Sequence, residues 1–302
     1  MNLRRNILIF HQAALGDFVL TWPLAMALGR VFAQSRVMYV TGSDKGRLVE
    51  DVIGVESVSA DYGWHALHGE GVEPTERVRR MLAATQLIVL FAQNDEPAFA
   101  ANVAKHAGDV PMAVIRPNPP EGVHVWDHHL AQLAGDGRLG DYLRQMQSLV
   151  RSQGLTTRTA ASGTVLIHPG SGSPAKNWPA ESFVALAQEM RSRGRRIAVV
   201  LGEVERERMA ARDREALTAA ADEVIEPADL PALRRVIAPA AGVIGNDSGP
   251  THLAAMLGVP TIALFGPASS PAQWRPVGPR VTVCLFDTSV AEIAERVVAA
   301  TT

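Results

Sequence analysis

Three loops in this 302-residue chain gather residue types that handle anions and protons. The first reads His168-Pro169-Gly170-Ser171-Gly172-Ser173-Pro174-Ala175-Lys176-Asn177-Trp178-Pro179. Gly170 and Gly172 let backbone N–H groups approach an anion closely, Ser171 and Ser173 add hydroxyl donors, and Lys176 supplies a point charge suited to phosphate. The spacing is not that of a GxxxxGK[ST] loop. The reading is therefore a phosphate cradle of another kind, with a tight turn and a solvated lysine as the alternative. The second loop is Gly245-Asn246-Asp247-Ser248-Gly249-Pro250-Thr251-His252. Ser248 and Thr251 suit the capping of a helix that begins here, and its free N–H groups and dipole favour a diphosphate. A carboxylate beside phosphate is repelled unless it takes a hydrogen bond, which assigns Asp247 to orienting the loop or a ligand hydroxyl. In the third loop Asp17 is the only charged side chain between His11 and Arg30, set after Leu15-Gly16. It reads either as a helix N-cap or as a general base for an attacking hydroxyl.

The elements that must hold these loops alternate between strand and helix. Asn6–Phe10 is a continuous apolar run, the pattern of a strand buried on both faces, and an apolar helix pattern follows it. Strands are expected again at Arg36–Val40, Leu87–Phe91 and Val110–Ile115, the second of these preceding Ala92-Gln93-Asn94. A helix around Tyr142–Gln153 leads into Gly154–Gly163, small and polar, which reads as a linker. The pattern restarts with strands Thr164–His168, Arg196–Leu201, Glu223–Ile225, Gly242–Gly245 and Thr261–Phe265. Helices are expected at about Ala180–Arg193, through Leu217, at Leu230–Ala238 and at Thr251–Leu257. The result is an α/β chain of two doubly wound domains, residues 1–155 and 156–302. Ligands of such sheets sit beyond the carboxyl ends of the strands, where all three loops fall.

Composition narrows the function classes. With 29 basic and 31 acidic residues the net charge is −2, so no global field points to nucleic acid. Hydrophobic residues make up 47%, which supplies a globular core. Cys284 is the only cysteine, which rules out an internal disulfide and suits a reducing, cytoplasmic setting. The apolar residues Ile7–Phe10 ahead of His11-Gln12 are too few for a signal-peptide core, and the run Leu253–Pro267 is broken and short of a membrane span. Asp127-His128-His129 does not make a metal site, because adjacent side chains on a helix diverge. Arg77, Arg79 and Arg80 offer cations to an acidic acceptor or form a solvated helix face.

Taken together the loops resemble a family. Ala14-Leu15-Gly16-Asp17 with Leu20-Thr21-Trp22-Pro23-Leu24, the His168–Pro179 loop, Asn246–Ala255, and Gly258-Val259-Pro260-Thr261 through Phe265-Gly266-Pro267 resemble glycosyltransferase family 9, the ADP-heptose:lipopolysaccharide heptosyltransferases. The resemblance implies a GT-B fold, two Rossmann-like domains facing across a cleft, with the acceptor on the N-terminal domain and the nucleotide sugar on the C-terminal one. It implies an inverting transfer without metal or other cofactor, with Asp17 as base and Lys176 stabilising the leaving diphosphate. Gly170, Ser171, Gly172 and Ser173 would hold one side of the diphosphate, and Asp247, Ser248, Gly249, Thr251 and His252 the other. One of Glu203 and Glu205 would meet the ribose, while Gly16 and His124 would face the acceptor. The expected partners are ADP-heptose and a lipopolysaccharide core or related glycan at the inner face of the cytoplasmic membrane. Ser-Gly-Ser stands where some heptosyltransferases carry paired threonines, a departure that leaves the transferase class intact and bears on the sugar and the acceptor; the competing readings are a GT-B enzyme using another nucleotide sugar on a protein or natural product, and a non-catalytic nucleotide-sugar-binding protein.

Overall fold

The computed structural model describes residues 5–68, 72–92, 97–133, 135, 137–156 and 162–301. The expected loop at Gln93-Asn94 and the middle of the expected linker, residues 157–161, lie outside them. The chain divides into two compact units: Met1–Ala13 with Leu20–Gln147, and Ala14–Val19 with Ser148–Thr302. The division between Gln147 and Ser148 falls inside the helix Gly137–Gln153.

Unit 1 carries β1 (Asn6–Phe10), β2 (Arg36–Thr41), β3 (Glu56–Ser59), β4 (Thr85–Phe91) and β5 (Met112–Ile115), in the order β3-β2-β1-β4-β5 with every pair parallel. β1 lies in the middle and is buried along its whole length, as its unbroken apolar sequence requires. Phe10 anchors the core against Trp64 and Phe99, with edge-to-face ring contacts at 5.2 and 5.8 Å.

Unit 2 carries β6 (Thr164–His168), β7 (Arg196–Val200), β8 (Glu223–Ile225), β9 (Gly242–Asn246), β10 (Thr261–Phe265) and β11 (Val281–Leu285). Their order is β11-β10-β9-β6-β7-β8, again all parallel. Numbered from its own first strand, this sheet has the dinucleotide-binding order 3-2-1-4-5-6, and unit 1 has its first five members. The strand order therefore reverses between β1 and β4 in one unit and between β6 and β9 in the other. Val165, Ile167, Phe183, Leu186, Ile244 and Leu264, all fully buried, form the centre of the second core. Each such side chain contributes roughly 1.5–3 kcal/mol of transfer free energy.

Several elements differ from expectation. β3 and β11 are additional strands; both are sheet edges with partly exposed residues, which blurs their patterns. The helix expected through Leu217 is two helices, Glu203–Arg208 and Ala211–Ala220, separated at Met209-Ala210. The helix expected from Thr251 starts at Gly249, with Pro250 in its first turn, where a missing N–H is harmless. Downstream of the long helix, Gly154 adopts φ 74° and packs on Gly258, where a Cβ would lie 2.6 Å from that residue's Cα. Leu155 N–H then donates to the Met256 carbonyl at 2.8 Å, and Thr156 Oγ1 to that of Leu257 at 2.9 Å, fixing the entry to unit 2. Among the described residues no helix is long and apolar enough to cross a membrane.

Candidate active site

At the switch point of unit 2, β6 and β9 run side by side with His168 paired to Gly245. The loops leaving their carboxyl ends meet through Asn246, which is fully buried. Its Nδ2 donates to the Pro169 carbonyl at 2.8 Å and its Oδ1 accepts from Trp178 N–H at 2.9 Å, so one amide holds both ends of the first loop. Trp178 packs edge-on to Phe183 at 5.1 Å and donates its indole N–H to the Phe286 carbonyl. The loop is thus fastened to the core rather than free in solvent.

Within it, Ser171 is buried and serves the loop itself. Its Oγ lies 2.6 Å from the Ser173 carbonyl and 2.7 Å from Asn177 Oδ1, with one proton to share, and it accepts from Ser173 N–H. Gly172 and Ser173 face outward more than Gly170 and Ser171 do. A single 3-10 turn, Pro174–Lys176, then delivers Lys176 toward the second loop.

There Lys176 Nζ donates to Asp247 Oδ2 at 2.8 Å. Ser269 Oγ donates to the same oxygen at 2.6 Å, and His252 Nε2 lies 3.1 Å from Oδ1. Burial of Asp247 by itself would raise its pKa. The hydrogen bond and charge of His252, followed by the bonds from Lys176 and Ser269, outweigh burial and hold the carboxyl well below the usual carboxylate range. Asp247 is therefore an ionised hub whose two oxygens are occupied by the protein's own donors. Ser248 takes the N-cap position of Gly249–Met256 but makes no side-chain cap to the backbone; its hydroxyl pairs with that of Thr251 at 3.0 Å. The expected cap is absent, and the first-turn N–H groups keep their capacity for an outside acceptor.

Residues 14–19 follow β1 in sequence yet group with unit 2. Leu15 packs on Gly249, where a Cβ would sit 2.7 Å from that of Leu15, and Gly16 lies over His252, its own missing Cβ only 3.2 Å from the ring. Gly16 thus permits a close approach to the second loop. Asp17 stands beside it, partly exposed, on the short helix Leu15–Leu20. Asp17, Gly16, Lys176, Asp247, Ser248, Gly249, Thr251 and His252 are accordingly gathered in one unit.

The two glutamates separate cleanly. Glu203 is exposed at the start of its helix. Glu205 is buried, accepts from Gly202 N–H at 2.7 Å through Oε2, and sits so close under Gly170 that a Cβ there would overlap Oε1. That oxygen is 3.8 Å from His168 Nε2, while Nδ1 of the same ring meets the Val200 carbonyl at 3.1 Å. Burial dominates and holds the His168 pKa below its ordinary value. Glu205 also lines a cavity of about 360 Å³ shared with Gly170, Ser171, Asn177, Trp178 and Arg208. This volume lies within the range of small-molecule sites.

His124 belongs to unit 1 and is buried, its Nδ1 accepting from Trp126 N–H at 3.2 Å. Arg79 and Arg80 both pair with Glu76, and Arg77 lies over the Tyr62 ring at 5.7 Å, which makes that basic run a helix face satisfied by its own neighbours. Among the described residues no group of three or more His, Cys, Asp or Glu is placed to hold a metal ion. Asn246 and Ser269 were not singled out from the sequence. Asn246 carried the signal of a polar residue closing an apolar strand, whereas Ser269 carried none.

Comparison with known proteins agrees with this geometry. The model of glycosyltransferase family 9 (heptosyltransferase) matches residues 123–298, more than half of the chain and nearly all of unit 2. Lipopolysaccharide heptosyltransferase 1 of Pseudomonas aeruginosa is 33% identical over 131 residues, 43% of this chain and 35% of that protein, so the match spans about a third of the relative's length. Among solved structures, a family 9 glycosyl transferase from Veillonella parvula superposes with a TM-score of 0.73 at 18% identity, covering 100% of this chain and 98% of the other. E. coli ADP-heptose lps heptosyltransferase II gives 0.70 at 17% identity with 98% of each chain covered. E. coli heptosyltransferase WaaC with ADP gives 0.65 at 18%, covering 98% and 100%. The α/β fold with two parallel sheets is the GT-B fold of these enzymes, and the chain belongs to glycosyltransferase family 9.

Proposed function

We propose that the protein transfers heptose from ADP-heptose to a hydroxyl of a lipopolysaccharide core or related glycan, with inversion and without a metal. The observation that carries this reading is the Asp247 hub at the unit 2 switch point, which holds Lys176 beside the open helix N-terminus at Gly249. One Lys176 N–H is bound to Asp247, and its remaining donors are available to a diphosphate. As the glycosidic bond breaks, negative charge grows on the leaving diphosphate; Lys176 and the first-turn N–H groups stabilise it where it develops. Asp247 works by aiming Lys176, since both its oxygens already have donors. Asp17 takes the proton of the attacking hydroxyl as it meets an oxocarbenium-like anomeric carbon, on the face opposite the nucleotide. Glu205, buried at the cavity wall, is assigned to the ribose hydroxyls in preference to exposed Glu203. Work at the cytoplasmic face of the inner membrane suits a chain whose one cysteine, Cys284, is free and buried.

The test is a calorimetric titration with ADP, UDP, GDP and NAD without divalent metal. Clear preference for ADP is the expected result. Preference for UDP or GDP would move the donor to another nucleotide sugar, and binding of none would overturn the transferase reading.

A further inference from the structure

Asp247 binds three of the protein's own donors, and one of them comes from a loop to which the proposed transfer gives no part. The apolar strand β10 ends at Phe265, and Gly266-Pro267-Ala268-Ser269-Ser270 follows it. Glycine is required at 266, because a Cβ there would overlap the Phe286 ring. Ser269 N–H donates to the Gly266 carbonyl at 3.3 Å and closes the turn, and the Ser270 carbonyl accepts from Trp274 N–H at 2.9 Å as the helix Pro271–Trp274 starts. Ser269 is thus fixed on both sides by backbone hydrogen bonds. Phe286 also donates its N–H to the Phe265 carbonyl at 3.0 Å and accepts from the Trp178 indole at 3.3 Å, so one residue anchors both this loop and the loop that carries Lys176. Asp247 N–H donates to the Leu264 carbonyl at 3.2 Å. β10 and its loop therefore hold Asp247 by backbone and side chain at once.

Two donors share Asp247 Oδ2: the Ser269 hydroxyl at 2.6 Å and the Lys176 ammonium at 2.8 Å. A carboxylate oxygen has two lone pairs, and here one meets a neutral donor and the other a cation. The aspartate side chain is only 6% exposed, so water is a poor replacement for a donor lost there. Without the hydroxyl, the spare lone pair draws a second N–H of Lys176 inward or faces the incoming diphosphate. Either outcome weakens the hold on that anion. We propose that Ser269 is a positioning residue of the transfer: its hydroxyl saturates Asp247 without adding charge, and so leaves the other N–H groups of Lys176 to the departing diphosphate. This role rests on the transferase reading and adds to it a residue from the loop after β10, across β9 from the strand that precedes the Lys176 loop.

The test is a calorimetric titration of the full chain with ADP, without divalent metal, for the wild type and three sets of variants. Ser269→Ala removes the hydroxyl from a half-buried loop position and is expected to weaken ADP binding about fivefold. Ser269→Thr keeps the hydroxyl and is expected to restore the affinity to within about twofold of the wild type. In the Asp247→Asn background the charge that Ser269 offsets is gone, so adding Ser269→Ala is expected to change the affinity by less than about twofold. A side chain that merely held the loop together would weaken binding equally in both backgrounds. Unchanged affinity in Ser269→Ala, no restoration by Ser269→Thr, or the same loss with and without Asp247→Asn would overturn the role. The wild-type titration separates the two readings: a protein that binds ADP but ignores Ser269→Ala loses only this inference, and a protein that ignores ADP loses the transferase reading and this role with it.

Discussion

Replacing Lys176 by Met removes the ammonium and keeps the aliphatic stem, which makes it the sharpest probe of the hub. Two effects are expected, one without ligand and one with it. In the free protein the 2.8 Å pair with Asp247 is lost. The lysine side chain is 33% exposed and the aspartate 6%, so the pair lies between an exposed one, roughly 0–1 kcal/mol, and the 3–5 kcal/mol of a broken buried one. Because His252 and Ser269 still serve the carboxylate, about 1–2 kcal/mol is the expected cost. For a unit of this size that lowers the melting temperature by about 2–8 °C. With ADP present, loss of a charge-assisted bond of roughly 1.5–3 kcal/mol weakens binding roughly 10- to 150-fold. Calorimetry in scanning and titration modes reads both. Adding Asp247→Asn to Lys176→Met should cost less than Asp247→Asn alone, since the partner is already gone; strict additivity within about 0.5 kcal/mol would refute the coupling. Unchanged ADP affinity in Lys176→Met would refute the diphosphate role whatever happens to the melting temperature.

Asp17→Asn should abolish transfer from ADP-heptose while ADP affinity changes less than about threefold, as expected of a proton acceptor; a variant that keeps most of its turnover removes Asp17 from that role. Gly249→Ala should displace Leu15 and with it residues 14–19, costing about 1–3 kcal/mol of overpacking and lowering turnover, while an alanine variant with wild-type melting and rate would show that this contact is dispensable. Acid should weaken unit 1: His11 and His129 have folded pKa values near 3 against about 6.5 when unfolded, so the unfolded chain binds more protons below pH ~6.5 and stability falls as pH drops toward 3. The slope is roughly 1 kcal/mol per pH unit for each histidine, and urea midpoints between pH 7 and 4 should flatten in the His11→Gln, His129→Gln double variant. The same slope in both proteins would mean these rings are not buried neutral.

Strands without polar interruption were legible in the sequence. β1, β6 and β10 match their expected spans because continuous apolar runs have no other stable use here. β3 was hidden because only Val58 of its four residues is buried. The break at Met209-Ala210 was hidden because neither glycine nor proline marks it. At the site, Lys176, Asp247 and His252 were legible by residue type, while their bonding was not. Sequence reading assigned Ser171 and Ser248 to a phosphate and a helix cap, yet each hydroxyl is engaged with a neighbour in the loop. The third donor to Asp247, Ser269, lies on the loop after the next strand, a partnership that only the strand order β10-β9-β6 creates. The grouping of Asp17 with unit 2 likewise depends on Leu15 meeting Gly249, a contact between distant segments that no local pattern encodes.

The two units use one strand order for opposite electrostatic ends. At the unit 2 switch point full charges are kept ionised: Asp247 is surrounded by donors, and Lys176 stays partly in solvent. At the unit 1 switch point burial suppresses charge, and two imidazoles stay neutral around a phenyl ring. A low-dielectric setting that suppresses charge on imidazoles would oppose the charges gathered around Asp247, so the two environments exclude each other at one site. Placing them in separate sheets lets each be tuned by its own loops. Lys176→Met should then weaken ADP binding while leaving the acid sensitivity of unit 1, set by the burial of His11 and His129, as it is in the wild type.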